Sequence, residues 1–249
     1  MSGHSKWATI KHKKGALDAK RGKTFTRLIR EIAMAAKGGG GDPNGNPRLR
    51  TAIAAAKAEN MPADNIKRAI QRGTGELPGT TYEEFCLEGY GPGGVAILVE
   101  ISSDNRNRTV SEIRHMFQKH GGNMAEAGAV AYMFHKKGYI VVPKSAAGED
   151  ALMGVVLEAG GEDLRDDGEN WEVLTEPGAY EGVLAAIHQA GIATTMNEVS
   201  MVPQNYIKLE GQPATAMIRL IEAMEEHDDT QHVYSNFDVD EKHLEQVAS

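Results

Sequence analysis

The order of helix and strand patterns in residues 136–204 restricts the fold of this chain more than any other feature. The stretch contains in turn a strand GYIVVP, a helix ALMGVVLEAG, the strands EDLRD and NWEVLTE, a helix YEGVLAAIHQAG and a strand TTMNEVSMVP. Asp167 and Gly168 supply the turn between the two middle strands. A βαββαβ order is that of a ferredoxin-like fold. We therefore predict such a domain over residues 136–204.

The segments on either side each supply about half of a second α+β sandwich. Residues 79–135 contain the strands YEEFCLEGYG and VAILVEISS and the helix VSEIRHMFQKH. Residues 205–249 contain NYIKLE, the helix PATAMIRLIEAMEEH and the strand HVYSNFDV. We predict that the two segments form one discontinuous domain into which residues 136–204 are inserted.

Residues 1–78 have helical rather than strand periodicity. Apolar residues in FTRLIREIAMAA recur at i, i+3, i+4 and i+7 before a run of four glycines ends the first helix. Asn46 and Pro47 are suited to the N-cap and first position of a second helix, and Pro62 opens a third that ends at Gly73. The predicted fold class is α+β: an N-terminal helical bundle followed by two ferredoxin-like α+β domains, the last inserted into the middle one.

Charge divides the chain at the same place. Residues 1–78 carry 16 Lys and Arg against 6 Asp and Glu, a net charge of +10, whereas the remainder carries 11 against 29, a net charge of -18. A dense basic segment is typical of phosphate binding, although a solvated helix face is the alternative. Trp7 can stack on a base or anchor the segment to the bundle. The predicted nucleic-acid contacts are Lys6, Trp7, Lys11, Lys13, Lys14, Lys20, Arg21, Lys23, Arg27 and Arg30.

The later helices of the basic domain add further cations at exposed positions. Helices over 46–59 and 62–72 also fit a helix-turn-helix weakly, and no base-reading pattern accompanies them. The predicted exposed cations are Arg48, Arg50, Lys57, Lys67, Arg68 and Arg72, and the helix-turn-helix reading would expose Asn65, Lys67, Arg68 and Gln71.

Three patterns that could suggest a cofactor or metal have simpler structural explanations. Gly89, Gly91 and Gly94 fit GxGxxG, but they open a strand instead of a helix, so we predict a hairpin turn. The glycines at 38–41 lack the GK[ST] of a P-loop and predict a linker. The acids at 163–169 lack EF-hand spacing and predict a solvated turn. We expect no cofactor.

No residue pattern indicates catalysis. His4 and His12 lie among lysines without ligands at metal spacing, so we expect no metal site. Cys86 is the only cysteine, which excludes an intrachain disulfide, and we predict that it is a small buried residue in a strand. We expect no enzyme activity and no small-molecule substrate.

We expect a cytoplasmic protein without a membrane partner. No segment approaches the roughly 18 consecutive apolar residues of a membrane span. The first residues lack the apolar stretch of a secretory signal, so we interpret them as part of the mature protein.

Four long stretches resemble the hallmark sequences of the YebC family. They are GHSKWATIKHKKGALDAKRGKTFTRLIREI, GGGGDPNGNPRLRTAIAAAKAENMPADNIKRAIQRGTG, EGYGPGGVAILVE and SSDNRNRTVSEIR. The resemblance covers essentially the whole chain. Members of this family are known as probable transcriptional regulatory proteins, and they are similar to the mitochondrial translational activator of cytochrome c oxidase subunit I.

The resemblance implies a helical N-terminal domain, two α+β domains, a cytoplasmic location, no catalytic residues and no required cofactor. This sequence departs from the family pattern at residues 15–17. It also has extra glycines at 40, 41 and 45, which predict a longer first loop. The residues that match the family's basic N-terminal motif are His4, Lys6, Trp7, Lys11, His12, Lys13, Lys14, Lys20, Arg21 and Arg30.

Two functions remain open, both with nucleic acid as the partner. The resemblance implies promoter recognition for some members and action on the translating ribosome, including relief of stalling at proline runs, for others. A DNA-binding transcriptional regulator is the first hypothesis. A translation factor that binds ribosomal or messenger RNA, or the ribosome itself, is the alternative, and a surface of charge -18 fits it because duplex phosphates would repel that surface.

Overall fold

The computed structural model describes residues 17–79 and 81–240, with side chains from residue 22 onward. Within these ranges no helix has both the length and the apolar character needed to cross a membrane. The α-helices are α1 (Leu17–Gly39), α2 (Pro47–Ala58), α3 (Ala63–Gly73), α4 (Arg106–Lys119), α5 (Glu149–Glu158), α6 (Tyr180–Gln189) and α7 (Gly211–Glu225). The strands are β1 (Glu83–Tyr90), β2 (Ala96–Ser103), β3 (Asn123–Met124), β4 (Phe134–Pro143), β5 (Asp163–Asp167), β6 (Asn170–Thr175), β7 (Met196–Pro203), β8 (Ile207–Lys208), β9 (Thr230–Ser235) and β10 (Phe237–Asp238).

The first three helices form a small bundle around a core rich in alanine. Small residues let the helices approach closely, and a Cβ built on Gly73 would lie 2.2 Å from the Ala33 carbonyl oxygen. The helix α3 therefore crosses α1 at a point where a larger residue does not fit. The buried core residues are Ile32, Ala35, Ala36, Leu49, Ala52, Ala56, Met61, Ile66 and Ala69.

Asn46 joins the first two helices as well as capping the second. Its side-chain Oδ1 accepts a hydrogen bond from the Leu49 amide at 3.1 Å, and Pro47 occupies the first helical position, as the sequence predicts. Its Nδ2 donates to the carbonyl oxygens of Ala35 at 2.8 Å and Gly40 at 2.9 Å. One buried amide thus satisfies backbone groups at the end of α1 and the start of α2.

The next unit is an antiparallel sheet with strand order β3-β1-β2-β9, and α4 and α7 pack on one face of it. The hairpin predicted at the glycine-rich turn is confirmed, because β1 pairs with β2 along its whole length. Gly93 and Gly94 have φ of +74° and +79°, a left-handed conformation that favours glycine. Gly93 and Gly94 therefore shape the turn between β1 and β2, whereas Gly89 lies within β1.

The expectation that Cys86 is buried is wrong. Along β1, Phe85 and Leu87 face the helices, so Cys86 projects from the opposite face and is exposed. Burial by neighbouring atoms is still large enough to raise the pKa of the thiol, and the charges of Glu100 and Glu88 raise it further. The thiol is consequently not activated as a nucleophile.

The third unit has the strand order β5-β6-β4-β7, antiparallel throughout. This order and the βαββαβ sequence of elements are those of a ferredoxin-like fold, with Leu152 and Val156 of α5 and Val183 and Ile187 of α6 packed on one face. The predicted α+β fold class, a helical bundle followed by two α+β units, is confirmed. The exact domain limits at residues 78, 135 and 204 stay predictions.

Glu88 fixes the segment that leads from the middle sheet into the third unit. Its buried carboxylate accepts hydrogen bonds from the amides of Gly128 at 2.6 Å, Val130 at 2.7 Å and Ala131 at 2.8 Å. Burial raises the pKa of Glu88, but these three bonds to the charged form outweigh it and the pKa is lowered. A buried charge thus orders an irregular stretch of backbone.

We expect Asn46→Ala to lower the free energy of unfolding of the helical bundle by about 2–3 kcal/mol, because it removes a cap and the two hydrogen bonds donated to the Ala35 and Gly40 carbonyl oxygens. Asn46→Asp keeps the acceptor but loses both donated bonds, so its effect should be intermediate. Hydrogen exchange of the α1 and α2 amides measures the change locally. The exposed Asn44→Ala is the control and should shift it by less than about 0.5 kcal/mol; equal effects at both positions would contradict this role.

Candidate nucleic-acid interface

The structure describes three of the ten side chains predicted to contact nucleic acid. Lys23, Arg27 and Arg30 lie on α1 and are described in full. Lys20 and Arg21 belong to the same helix, but their side chains lie outside the described part. The other predicted contacts precede α1 and lie outside the described residues: Lys6, Trp7, Lys11, Lys13 and Lys14. His4 and His12 also lie outside the described residues.

The three described cations point from the bundle to the middle domain. Their spacing of i, i+4 and i+7 puts them on one face of α1. The Lys23 Nζ donates to the Glu226 carbonyl oxygen at 2.9 Å, and the Arg27 guanidinium donates to the Gln231 carbonyl oxygen. Arg30 continues the row toward the same turn, which precedes β9. This face of α1 is therefore an interdomain contact.

Asp229 is the centre of that contact. Its side chain is only 3% exposed, and Oδ1 accepts from the Arg30 Nη1 at 2.9 Å. Oδ2 accepts from Arg108 Nη2 at 2.7 Å, Thr109 Oγ1 at 2.6 Å and Ser103 Oγ at 2.9 Å. Burial raises the pKa of Asp229, but these hydrogen bonds and the charge of Arg30 bring it to about 2. The carboxylate is ionised and fully paired.

Arg27 and Arg30 are accordingly removed from free solvent. Burial lowers the pKa of the Arg27 guanidinium, and nearby Glu225 partly offsets this effect. The Arg30 side chain is 12% exposed and also donates to the Asp228 carbonyl oxygen at 2.5 Å. A phosphate could reach either guanidinium only by displacing groups of the middle domain.

A second set of polar contacts holds the bundle against β1. Arg48 of α2 pairs with Glu31 at 2.7 Å and with Glu84, and the hydrogen bonds to both carboxylates raise its pKa. Lys37 donates to the Tyr82 carbonyl oxygen at 3.3 Å. The basic domain therefore attaches to its acidic neighbour at two places along α1 and α2.

The outer face of α2 and α3 carries a different group of cations, which we call the outer basic face. These side chains are exposed, and within the described part of the chain none has a carboxylate oxygen within 4 Å. Arg50 donates to the Pro43 carbonyl oxygen and Arg68 to the Asn65 Oδ1, both uncharged acceptors. The members of the outer basic face are Arg50, Lys57, Lys67, Arg68 and Arg72.

The outer basic face has few acids near it in sequence. Residues 47–73 hold six basic residues against Glu59 and Asp64, a net charge of +4. Arg68 and Arg72 are four residues apart and share one side of α3, whereas Arg50 and Lys57 are seven apart on α2. Both helices therefore present exposed cations to solvent. Asn65 and Gln71, the other positions of the helix-turn-helix hypothesis, are only partly exposed.

The acidic and histidine side chains of residues 17–79 and 81–240 are not clustered for metal binding. No group of three or more His, Cys, Asp or Glu side chains is arranged there to hold a metal ion. The acids at 163–169 form the predicted turn between β5 and β6, where Asp166 accepts from Lys144 at 2.6 Å and from the Gly168 amide at 2.9 Å. These side chains stabilise a hairpin.

Known proteins resemble this chain over its whole length. Family models match at residues 5–76, as the TACO1/YebC protein N-terminal domain, and at residues 82–237, as the TACO1/YebC second and third domain. Probable transcriptional regulatory proteins of Koribacter versatilis and Acidobacterium capsulatum are 71% and 67% identical over 248 residues, with each chain fully covered. The crystal structure of a conserved hypothetical protein from Aquifex aeolicus matches with a TM-score of 0.80 at 45% identity, covering 93% of this chain and 96% of that one.

We expect Asp229→Asn to lower the free energy of unfolding at pH 7 by roughly 2.5 kcal/mol, because the pKa of about 2 lies nearly two units below that of an unfolded aspartate and each unit is worth about 1.4 kcal/mol. Because the folded-state pKa is depressed, this contribution is complete above pH of about 4 and is lost as the pH falls toward 2. Urea unfolding at several pH values measures it. The exposed Asp228→Asn is the matched control, and a difference between the two variants that is independent of pH would contradict the assignment.

Proposed function

This chain belongs to the TACO1/YebC family, and on that premise we propose that it is a non-enzymatic regulator of gene expression that binds nucleic acid, with DNA as its first candidate target. Relatives as similar as 71% are named probable transcriptional regulatory proteins, which supports a regulatory role. The cytoplasmic location stays a prediction. The proposal assigns phosphate binding to the basic domain.

The observation that carries this proposal is the outer basic face. Its five cations are exposed and have no carboxylate partner in the described chain, although the protein as a whole has eight more acids than bases. Cations left free in an acidic protein are available to replace the counterions of a polyanion. The proposal adds to them the predicted contacts from Lys6 to Arg21, which lie earlier in the sequence.

The interdomain contact supports the proposal because it involves a face of α1 and leaves the outer basic face uncovered. Arg27 and Arg30 are held by the middle domain, so the helix α1 presents one face to that domain. The outer basic face belongs to the other two helices and is not covered by described residues. The bundle can thus bind a phosphate backbone while its inner face stays attached.

The alternative is a translation factor that binds the ribosome or its RNA. The division of charge favours it: residues 79–249 carry -18, a surface that duplex DNA would repel and basic ribosomal proteins would attract. Contacts to phosphate position a protein without reading sequence, so the outer basic face is equally suited to RNA. The two candidates share one binding surface and differ in target.

We expect Lys57→Gln, Lys67→Gln and Arg72→Gln together to make the salt dependence of duplex DNA binding shallower by about 2.7 in the slope of log K against log salt, since each phosphate contact contributes roughly 0.9. Fluorescence anisotropy titrations at several salt concentrations measure the slope. The same loss is expected for Lys11→Gln, Lys13→Gln and Lys14→Gln.

Two positions on α2 provide a matched control. Arg50 belongs to the outer basic face, whereas Arg48, two residues earlier, is paired with two carboxylates. Arg50→Gln should weaken DNA binding and Arg48→Gln should not, although both remove one charge. An unchanged slope in all of the basic-domain variants would overturn the proposed function.

The target is decided by binding of the wild-type protein at fixed salt. For a DNA-binding regulator, we expect selection from fragmented genomic DNA to recover sites bound at least about a thousandfold more tightly than random duplex. Co-sedimentation with ribosomes, at a salt concentration that abolishes duplex binding, would instead select the translation factor.

A further inference from the structure

The acidic part of the chain contains cations that its own carboxylates do not pair. Residues 81–240 hold ten Lys and Arg, and six of these make ion pairs with Asp or Glu: Arg106, Arg108, Lys137, Lys144, Arg165 and Lys208. Within the described residues, the four without a carboxylate oxygen in reach are Arg114, Lys119, Lys136 and Arg219. Acids are abundant in this part of the chain, so unpaired cations are the exception that requires a reason.

Three of the four lie on one surface, the helical layer of the middle domain. Arg114 and Lys119 are exposed on α4, and Arg219 is exposed on α7. The two helices pack side by side over the same sheet and share its core through Ile113 of α4 and Met217 of α7. Burial lowers the pKa of His120, and the charges of both Lys119 and Arg219 lower it further, which places these two cations near the same imidazole.

The outer side of α4 is lined by hydrogen-bond donors. Ser111, His115 and Lys119 recur at intervals of four residues, and Arg114 and Gln118 form the adjacent row. All five side chains are exposed. The acid on this helix, Glu112, is engaged by His227 at 2.8 Å.

Stabilisation of the helix explains only part of this arrangement. Lys119 lies in the last turn of α4, where a cation interacts favourably with the helix dipole. Arg114 lies before that turn, and Arg219 is in the interior of α7. All three cations lie on this helical layer without a carboxylate oxygen within 4 Å in the described residues, so each of them would attract an anion that approaches the layer.

The chemistry of the surface favours phosphate over a protein partner. Protein interfaces are anchored by large apolar or aromatic side chains. The exposed large hydrophobic residues of the described chain are Tyr132, Leu157, Val199 and Tyr206, and none of them lies on α4 or α7. A charged surface of donors without an apolar anchor fits a nucleic-acid backbone.

We propose that Arg114, Lys119 and Arg219 form a second phosphate-binding surface, which contacts the backbone of the same nucleic acid that the basic domain binds. The inference rests on the proposed function. It extends phosphate binding to a domain in the acidic part of the chain, whose net negative charge alone predicts repulsion of a phosphate backbone. A local positive surface lets the acidic part of the chain approach a polyanion without repulsion at the point of contact.

The test compares two triple variants of the full chain. The first neutralises the surface with Arg114→Gln, Lys119→Gln and Arg219→Gln. The control, Lys144→Gln, Arg165→Gln and Lys208→Gln, removes the same charge from cations that are paired with carboxylates. The probes are a random 30-base-pair DNA duplex and a 30-nucleotide single-stranded RNA, titrated by fluorescence anisotropy over a range of salt concentrations.

We expect the surface variant to reduce the salt slope by about 2–3 on the duplex and by about 2 on the RNA, at roughly 0.9 and 0.7 per phosphate, and the control to leave it unchanged. Melting temperatures equal to that of the wild-type protein establish that both triple variants are folded. If the surface variant is unfolded, Arg114→Gln alone replaces it, and we expect the salt slope on the duplex to fall by about 0.9.

Two results would overturn the inference while leaving the proposed function in place. One is a surface variant with the slope of the wild-type protein, and the other is an equal loss in both variants, which would indicate an effect of net charge alone. Failure of the wild-type protein to bind either probe would remove the proposed function as well. A loss confined to one probe identifies DNA or RNA as the source of the phosphate.

Discussion

The burial of the Asp229 carboxylate between two domains is the interaction on which the arrangement of the bundle depends. A carboxylate that is 3% exposed loses most of its hydration, and that cost is offset only when every oxygen is paired. Arg30 comes from the bundle, while Arg108, Thr109 and Ser103 come from the middle domain. Because the arrangement needs partners from both sides, it sets which face of α1 points toward the middle domain, and the outer basic face of α2 and α3 stays exposed.

Local patterns were sufficient to predict most of the fold. The N-cap at Asn46, the hairpin at the glycine-rich turn and the ferredoxin-like order of residues 136–204 each depend on neighbours within a few residues or on the count of elements. The predicted burial of Cys86 is wrong because helices cover β1 on one face only, and Cys86 lies on the other face. Periodicity shows that two faces differ but not what covers each one.

The candidate site was harder to predict because charge patterns do not identify partners. Arg27 and Arg30 occupy polar positions of α1, and the residues at 228–231 that accept their hydrogen bonds are some 200 residues away in sequence. The acid-rich run EEHDD at residues 225–229 is the one sequence feature that indicates a partner for these cations. Residue spacing does not predict that this run contacts α1. The predicted exposure of the outer basic face is confirmed, because its residues occupy the polar positions of α2 and α3. The net negative charge of residues 79–249, in turn, gives no indication of the unpaired cations on α4 and α7.

The pairing of β4 with β7 explains how a complete folded unit can interrupt another. Phe134 is opposite Pro203 in the register, and just outside them the Gln204 amide donates to the Met133 carbonyl oxygen at 2.9 Å. The chain consequently leaves the middle domain and returns to it at neighbouring positions. The two ends of the inserted unit are therefore no further apart than two paired strands. The junction itself spans only a few residues, but Phe134 of β4 and Met201 of β7 also pack with Ala96 and Leu98 of β2. Exchange of the inserted unit during evolution would therefore have to preserve this small apolar contact as well as the junction.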